Sequence, residues 1–202
     1  MNDSKRKKLP DEWKLEKLGN IFMTDNQQID KSDPLFNTFA FIGMDNIESN
    51  TRRFVLSDNI KQGGDSTCFL FDDRHVLYGK LRPYLNKIYL PEKQGRCSME
   101  LLPLKPQEGF TREFIAFILQ SEKVISHVVK HSKGGRMPRA NMDKLMRLTI
   151  AIPSSCEERK SLTCELERKM TEIEKMRNAL DKQLEAIKAL PGAVLREVFD
   201  FE

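Results

Sequence analysis

A chain of 202 residues has room for one sizeable domain and one smaller element, and this length excludes a large multidomain enzyme. Hydrophobic residues make up 39% and charged residues 32% of the chain, and the mean hydropathy is −0.53. These values are typical of a chain that folds around an apolar core, and they exclude both a membrane protein and a disordered one. The formal net charge is only +4, so the position of the charged residues is more informative than their sum.

The sequence carries no recognisable targeting or membrane signal. It has no run of 18 apolar residues, and its basic first residues lead into Leu9, Pro10 and Asp11 rather than into an apolar stretch. Four cysteines are present: Cys68, Cys97, Cys156 and Cys164. Because none of them forms a CxxC pair, we expect reduced thiols in a cytoplasmic protein that has no membrane partner.

Short apolar runs separated by turn residues occupy the first three quarters of the chain. They are rich in Phe, Ile, Val and Tyr, which favours strands, and they cover residues 39–44, 67–71, 75–77, 87–90, 99–104 and 148–152. From Thr111, apolar residues recur at helical spacing, which predicts one or two helices ended by Gly134 and Gly135. This pattern predicts an α+β domain with a mixed or antiparallel sheet over residues 1–153.

The pattern changes after Pro153. Between Glu157 and Leu190 there is no Gly or Pro, and apolar residues recur every seventh position. The resulting apolar stripe consists of Leu162, Leu166, Met170, Ile173, Met176, Leu180, Leu184, Ile187 and Leu190. It predicts one helix about 50 Å long, ended by Pro191 and Gly192, that pairs with another helix as a coiled coil. We therefore assign residues 154–202 to a dimerising helical region with a short apolar tail.

Positive charge is concentrated in the predicted domain. Residues 1–153 hold 25 basic and 19 acidic residues, whereas residues 157–190 hold eight of each. Two segments, 80–96 and 123–147, are the most basic, and they contain Tyr and Asn side chains that can contact base edges. The segments are typical of nucleic-acid binding, although a solvated charged surface without a ligand has the same composition.

The sequence lacks the motifs of nucleic-acid enzymes. Residues 33–36 (Asp-Pro-Leu-Phe) lack the second proline of the adenine methyltransferase tetrapeptide, and no glycine-rich cofactor loop accompanies them. Asp11 and Glu12 are too close in sequence to form a two-strand Mg²⁺ site. His127 and His131 have the spacing of zinc ligands but lack the helix glutamate and a third ligand, so we assign them to the basic surface. We expect no catalytic residues, no metal and no other cofactor.

Four segments in order resemble the specificity subunit of type I restriction-modification systems. They are LPDEWKLEKLGNI, then VLYGKLRPYLNKIYLP with GRCSMELLPLKP, then GGRMPRANMDKLMRLTIAIPS, and finally IKALPGAVLREVFDFE. Members of this family usually contain two target recognition domains and two helical regions. The chain resembles a half-length form with one of each.

The resemblance implies a subunit that reads double-stranded DNA and leaves methylation and cleavage to separate modification and restriction subunits. Two copies paired through the helix would form a homodimer that reads an inverted repeat. The residues expected to face DNA are Lys80, Arg82, Lys87, Lys133, Arg136, Arg139 and Asn141, with Arg52, Arg53, Lys61 and Gln62 as further candidates. Two alternatives stay open: the detached recognition module of a restriction endonuclease or single-chain restriction-modification enzyme, and a coiled-coil scaffold whose domain binds protein.

Overall fold

The computed structural model of the protein describes residues 10–56 and 66–199. The chain divides into two compact units, Met1–Lys160 and Ser161–Glu202. Four helices lie in the described residues: α1 (Arg112–Leu119), α2 (Glu122–Lys130), α3 (Met142–Met146) and α4 (Cys156–Phe199). The boundary between the two units falls inside α4.

The first unit contains three small sheets. Their strands within the described residues are β1 (Trp13–Lys17), β2 (Phe22–Thr24), β3 (Gln28–Ile29), β4 (Phe41–Ile42), β5 (Cys68–Phe71), β6 (Val76–Gly79), β7 (Ile88–Tyr89), β8 (Gly95–Cys97), β9 (Leu101–Pro106) and β10 (Thr149–Pro153). One sheet pairs β1 with β10, the second has the order β2-β9-β6-β7, and the third has the order β3-β5-β8-β4. Only the β4–β8 pair among these is parallel. The predicted α+β class with a mixed, mainly antiparallel sheet is confirmed.

The core of the first unit is built around the second sheet. Leu77 on β6 and Leu104 on β9 have no exposed surface, and α1 adds the buried Phe114 and Ile115. Both α1 and β5 pack against β9. Because β9 is covered in this way, its apolar residues are buried without the alternation of a half-exposed strand. None of the helices in residues 10–56 and 66–199 combines the length and the hydropathy of a transmembrane span.

The helix start predicted at Thr111 is confirmed. The Thr111 hydroxyl accepts a hydrogen bond from the Phe114 N–H at 3.2 Å, which caps α1, and the Ser155 hydroxyl accepts one from the Glu158 N–H at 3.0 Å, which caps α4. The helix α2 ends at Lys130, before the predicted glycine pair.

The predicted end of the long helix at Pro191 is wrong. The helix α4 runs for 44 residues, about 66 Å, with Pro191 inside it. Proline fixes φ near −65°, which suits a helix, and removes one backbone hydrogen bond from the ladder. The residues predicted as an apolar tail are therefore helical as far as Phe199.

Candidate nucleic-acid interface

The two basic segments are joined by backbone hydrogen bonds between the loop after β6 and the loop before α3. The Lys80 N–H donates to the carbonyl of Glu100 at 2.9 Å, and the Lys80 carbonyl accepts from the Ala140 N–H at 2.8 Å. The Arg82 N–H donates to the carbonyl of Pro138 at 2.7 Å. The fold thus places cations from two distant parts of the sequence at one location on the first unit.

A tight hairpin carries three of the predicted DNA-facing cations. Lys133 and Arg139 exchange backbone hydrogen bonds of 3.0 and 2.8 Å, and Gly134 turns the chain with a φ of +99°. Arg136 lies in the exposed turn of this 133–139 hairpin. Because Lys133 and Arg139 are bonded to each other through their backbones, the backbone positions of both basic residues are fixed.

Arg82 occupies an unusual backbone conformation. Its φ is +49°, and Asn86, at the other end of a short 3₁₀ turn (Pro83–Leu85), has a φ of +46°. The Leu85 N–H donates to the Arg82 carbonyl at 2.9 Å, which holds this turn together. A non-glycine residue in the left-handed region carries strain that is typical of binding sites. Pro83 is buried while Tyr84 is about half exposed, so this turn has both a packing part and an accessible part.

A third loop joins the same region. The Asn50 N–H donates to the carbonyl of Leu85 at 3.1 Å. In this loop the Arg52 guanidinium lies 4.3 Å from the centre of the Phe117 ring, in a cation–π contact with α1. Arg53 is half-buried. Both candidates from the sequence therefore lie on a loop that is bonded to the 3₁₀ turn, whereas Lys61 and Gln62 lie outside the described residues.

Two of the predicted residues have polar groups that are bonded within the domain. The Lys87 ammonium donates to the carbonyl of Met44 at 2.8 Å. The Asn141 carbonyl oxygen Oδ1 accepts from the Lys144 N–H at 3.2 Å and caps α3. The exposed members of the predicted set are Arg82, Lys133, Arg136 and Arg139, and Lys80 is half-buried.

Glu100 was not among the residues predicted from the sequence, yet it lies among these cations. Arg139 donates from Nε to Glu100 Oε1 at 3.0 Å and from Nη2 to the same oxygen at 2.6 Å, and Nε lies 3.2 Å from Oε2. The hydrogen bonds and the negative charge of Glu100 raise the pKa of the Arg139 guanidinium. The pair connects the 133–139 hairpin to the turn before β9.

The histidine pair on α2 is bonded to backbone. His127 Nε2 lies 3.1 Å from the carbonyl oxygen of Lys144, and His131 Nδ1 lies 2.8 Å from the carbonyl oxygen of His127. Across residues 10–56 and 66–199, no three His, Cys, Asp or Glu side chains form a group that could hold a metal ion.

The second unit presents the predicted apolar stripe. Ile173, Met176, Leu180, Leu184, Ile187 and Leu190 each expose half or more of their surface in the single chain. Because the helix continues through Pro191, Val194 follows Ile187 at the same seven-residue spacing, and Val198 is one turn further along the same face. The stripe is therefore longer than the sequence predicted.

Comparison with solved structures identifies the fold as that of half of a type I restriction-modification specificity subunit. A chain from a study of complex assembly and conformational transition in a type I system matches with a TM-score of 0.72 and 20% identity, over 95% of this chain and 50% of that one. The HsdS subunit of Thermoanaerobacter tengcongensis matches with a TM-score of 0.67 and 19% identity, over 96% of this chain and 51% of that one.

A third similar structure is the S subunit of a type I system from M. genitalium. Its TM-score is 0.50 and its identity is 13%, over 98% of this chain and 50% of that one. The chain thus spans about half the length of the subunits that it matches. No protein-family model matches the sequence, and no curated protein matches it.

Proposed function

We propose that this protein is a sequence-specific DNA-recognition subunit of a type I restriction-modification complex and that it has no catalytic activity of its own. The observation that carries the proposal is the backbone connection between the two basic loops, on a domain with the fold of a specificity subunit. The connection brings Lys80, Arg82 and the 133–139 hairpin to one surface. Such a surface can contact phosphates on either side of a groove while its other side chains reach the bases.

Binding through these cations has a measurable signature. Each Lys or Arg that contacts a phosphate releases a counterion, so the affinity falls as a power of the salt concentration. We expect duplex DNA to bind at low salt and to dissociate steeply between about 50 and 200 mM salt. Fluorescence anisotropy at several salt concentrations measures the slope. Affinity that does not change with salt would favour a scaffold whose domain binds protein.

We propose that the apolar stripe of α4 pairs with the same stripe of a second copy. A helix that exposes Ile173, Leu180 and Ile187 in water is stabilised when another helix covers them. The part of α4 in the second unit, residues 161–199, is about 58 Å long. This exceeds one turn of B-DNA, about 34 Å, so a pair of such helices would be long enough to separate two half-sites. Sedimentation at micromolar concentration should give the mass of a dimer, and a monomeric mass would contradict this part of the proposal.

The proposed partners besides DNA are the modification subunits and the restriction subunit of the complex, in the cytoplasm where the DNA lies. Co-expression of the chain with a modification subunit should yield a stable complex on purification. Mapping of the methylated bases in the host DNA should then return one repeated site. A modification subunit that purifies without the chain would contradict the docking role.

The absence of catalysis is tested separately. Purified protein is incubated with Mg²⁺ and plasmid DNA, and the products are separated on a gel. We expect intact DNA, since the proposal assigns cleavage to another subunit. Cleavage by the chain alone would favour the alternative in which it is the recognition module of an endonuclease.

A further inference from the structure

Glu100 has the wrong charge for a surface that binds phosphate. It lies beside Lys80 and Arg139, and a carboxylate at this place repels the DNA backbone and neutralises a neighbouring cation. If the surface only attracted phosphate, replacement of Glu100 by a neutral residue would strengthen binding. The location of this carboxylate therefore points to a role other than affinity.

The hydrogen bonds between Arg139 and Glu100 fix the plane of the Arg139 guanidinium. Its Nε and Nη2 atoms both donate to Glu100 Oε1, at 3.0 and 2.6 Å. The backbones of both residues are held as well, because Arg139 is bonded to Lys133 and Glu100 is bonded to Lys80. Arg139 keeps half of its side-chain surface exposed. An arginine held in this way loses little further freedom when it meets a planar ligand.

The far end of the guanidinium remains available. Arg139 Nη1 makes no hydrogen bond within the described part of the chain, and Nη2 has a second N–H that points away from the carboxylate. Two N–H groups on this end can donate together to O6 and N7 of guanine in the major groove. A flexible arginine can make the same contact but also binds phosphates in many positions.

On the basis of the proposed function, we propose that Arg139 reads one guanine in each half-site and that Glu100 is its positioning residue. Arg136, in the exposed turn of the same hairpin, has a different role and contacts phosphate. The two arginines are three residues apart, which makes Arg136 a matched control for Arg139. Glu100 thus contributes to the choice of sequence rather than to the strength of binding.

The test compares the 202-residue wild-type chain with Glu100→Ala, Arg139→Lys and Arg136→Ala. A site is first selected from random DNA with the wild type, and each G·C pair of the half-site is then replaced in turn. In Glu100→Ala we expect the preference for one G·C pair to fall about tenfold, while affinity for an unrelated duplex stays equal or rises. Arg139→Lys keeps the positive charge and should lose the same preference without a change in salt slope. Arg136→Ala should weaken binding to every duplex and keep the preference.

The outcomes separate this inference from the proposed function. If the wild type selects a site and Glu100→Ala keeps the wild-type preference at every G·C pair, the positioning role is wrong and the proposed function stands. A selected half-site without any G·C pair would overturn the inference in the same way. If the wild type selects no sequence, the positioning role and the proposed function are both wrong. A purely structural Glu100–Arg139 pair would lower the melting temperature and the affinity for all duplexes equally, which also overturns the inference.

Discussion

The core leucines of the first unit and the stripe leucines of the second unit differ in how much of their surface is exposed. In the first unit Leu77 and Leu104 have no exposed surface. In the second unit Leu180 exposes 64% of its surface and Leu184 exposes 50%. The same residue type is thus part of a finished core in one unit and of an uncovered stripe in the other.

The difference in exposure means that the two units depend on a partner to different extents for their stability. A buried core stabilises the first unit without any other molecule. An isolated helix gains little from its own hydrogen bonds, so the stability of the second unit depends on whatever covers its stripe. Under the proposed function, recognition and assembly lie in different parts of the chain, and each can be disrupted while the other is kept.

The largest effect is expected from charges placed on the stripe. Ile173→Glu combined with Leu180→Glu should raise the dimer dissociation constant about 1,000-fold or more, because burial of one such side chain contributes about 1.5–3 kcal/mol. Sedimentation measures the change in mass. Ala189→Glu, exposed on the opposite face of the helix, is the control and should leave the dimer intact. Equal behaviour of all three proteins would show that the stripe is not the pairing surface.

In the first unit the largest effect is expected from a substitution in the buried core. Leu104→Ala should lower the free energy of unfolding of this unit by about 2–5 kcal/mol, because it leaves a cavity at the centre of the second sheet. Leu15→Ala removes a leucine that is 64% exposed and should cost less than about 0.5 kcal/mol. Urea denaturation, followed by the fluorescence of Trp13, measures both. Similar losses in the two variants would contradict the assignment of the core.

A smaller effect is expected on the basic surface. Arg136→Ala should weaken binding to all duplexes and reduce the salt slope by about one, since one phosphate contact is lost. Arg74→Ala removes an exposed arginine that is paired with Asp72, outside the joined loops, and serves as the control. Binding titrations at three salt concentrations measure the slope. An unchanged slope in Arg136→Ala would remove Arg136 from the interface.

The smallest predicted effect is a pH-dependent one at the start of α4. A side-chain hydrogen bond to Glu12, burial and the negative charge of Glu12 raise the pKa of the Glu158 carboxyl. A carboxyl whose pKa is raised by folding stabilises the fold below its ordinary pKa of 4.5, and this stabilisation is lost as the pH rises through the folded value. Glu158→Gln should therefore raise the melting temperature at pH 7 and leave it nearly unchanged at pH 3.5.

Glu157 provides the control for that measurement. It is exposed in the same helical turn, where a negative charge interacts favourably with the helix N-terminus. We expect Glu157→Gln to lower the melting temperature at pH 7 slightly rather than to raise it. A lower melting temperature in Glu158→Gln as well would contradict the repulsion between Glu158 and Glu12.

Local sequence patterns predicted the elements whose own residues determine them. The strands β5, β6, β7, β9 and β10 coincide with apolar runs, and the cap at Thr111 is side-chain chemistry that acts within four residues. The stripe of α4 was predicted for the same reason, since helical spacing is a local property. Only the continuation past Pro191 differs, because the pair Pro191 and Gly192 is typical of a helix end, whereas α4 continues through both.

Elements that depend on distant partners were not predicted. The strand β1 has the sequence WKLEK, whose charged residues do not indicate a strand, and it forms because β10 pairs with it from the far end of the domain. Arg96 counted as part of a basic segment, but it is buried in β8, where its Nε donates to the Phe36 carbonyl at 2.9 Å and its guanidinium lies 4.0 Å from the centre of the Phe36 ring. Aromatic contact of this kind requires the folded chain.

The candidate interface also contains features that the sequence predicted and features that only the structure shows. Its basic residues were found from composition, because a concentration of Lys and Arg is visible in the sequence. The joining of the two loops through Lys80 and the pairing of Glu100 with Arg139 depend on hydrogen bonds between residues about 40 to 60 positions apart. Sequence spacing carries no information on such contacts. The residue that we propose positions the base-reading arginine was therefore found only in the structure.

The symmetry of the bound DNA is measured by selection of binding sites from random DNA with the purified 202-residue chain. We expect enrichment of an inverted repeat, two identical half-sites in opposite orientation with a fixed gap, because two equal recognition domains joined by paired helices would impose their two-fold symmetry on the DNA. Enrichment of two unlike half-sites, or of no sequence at all, would contradict it.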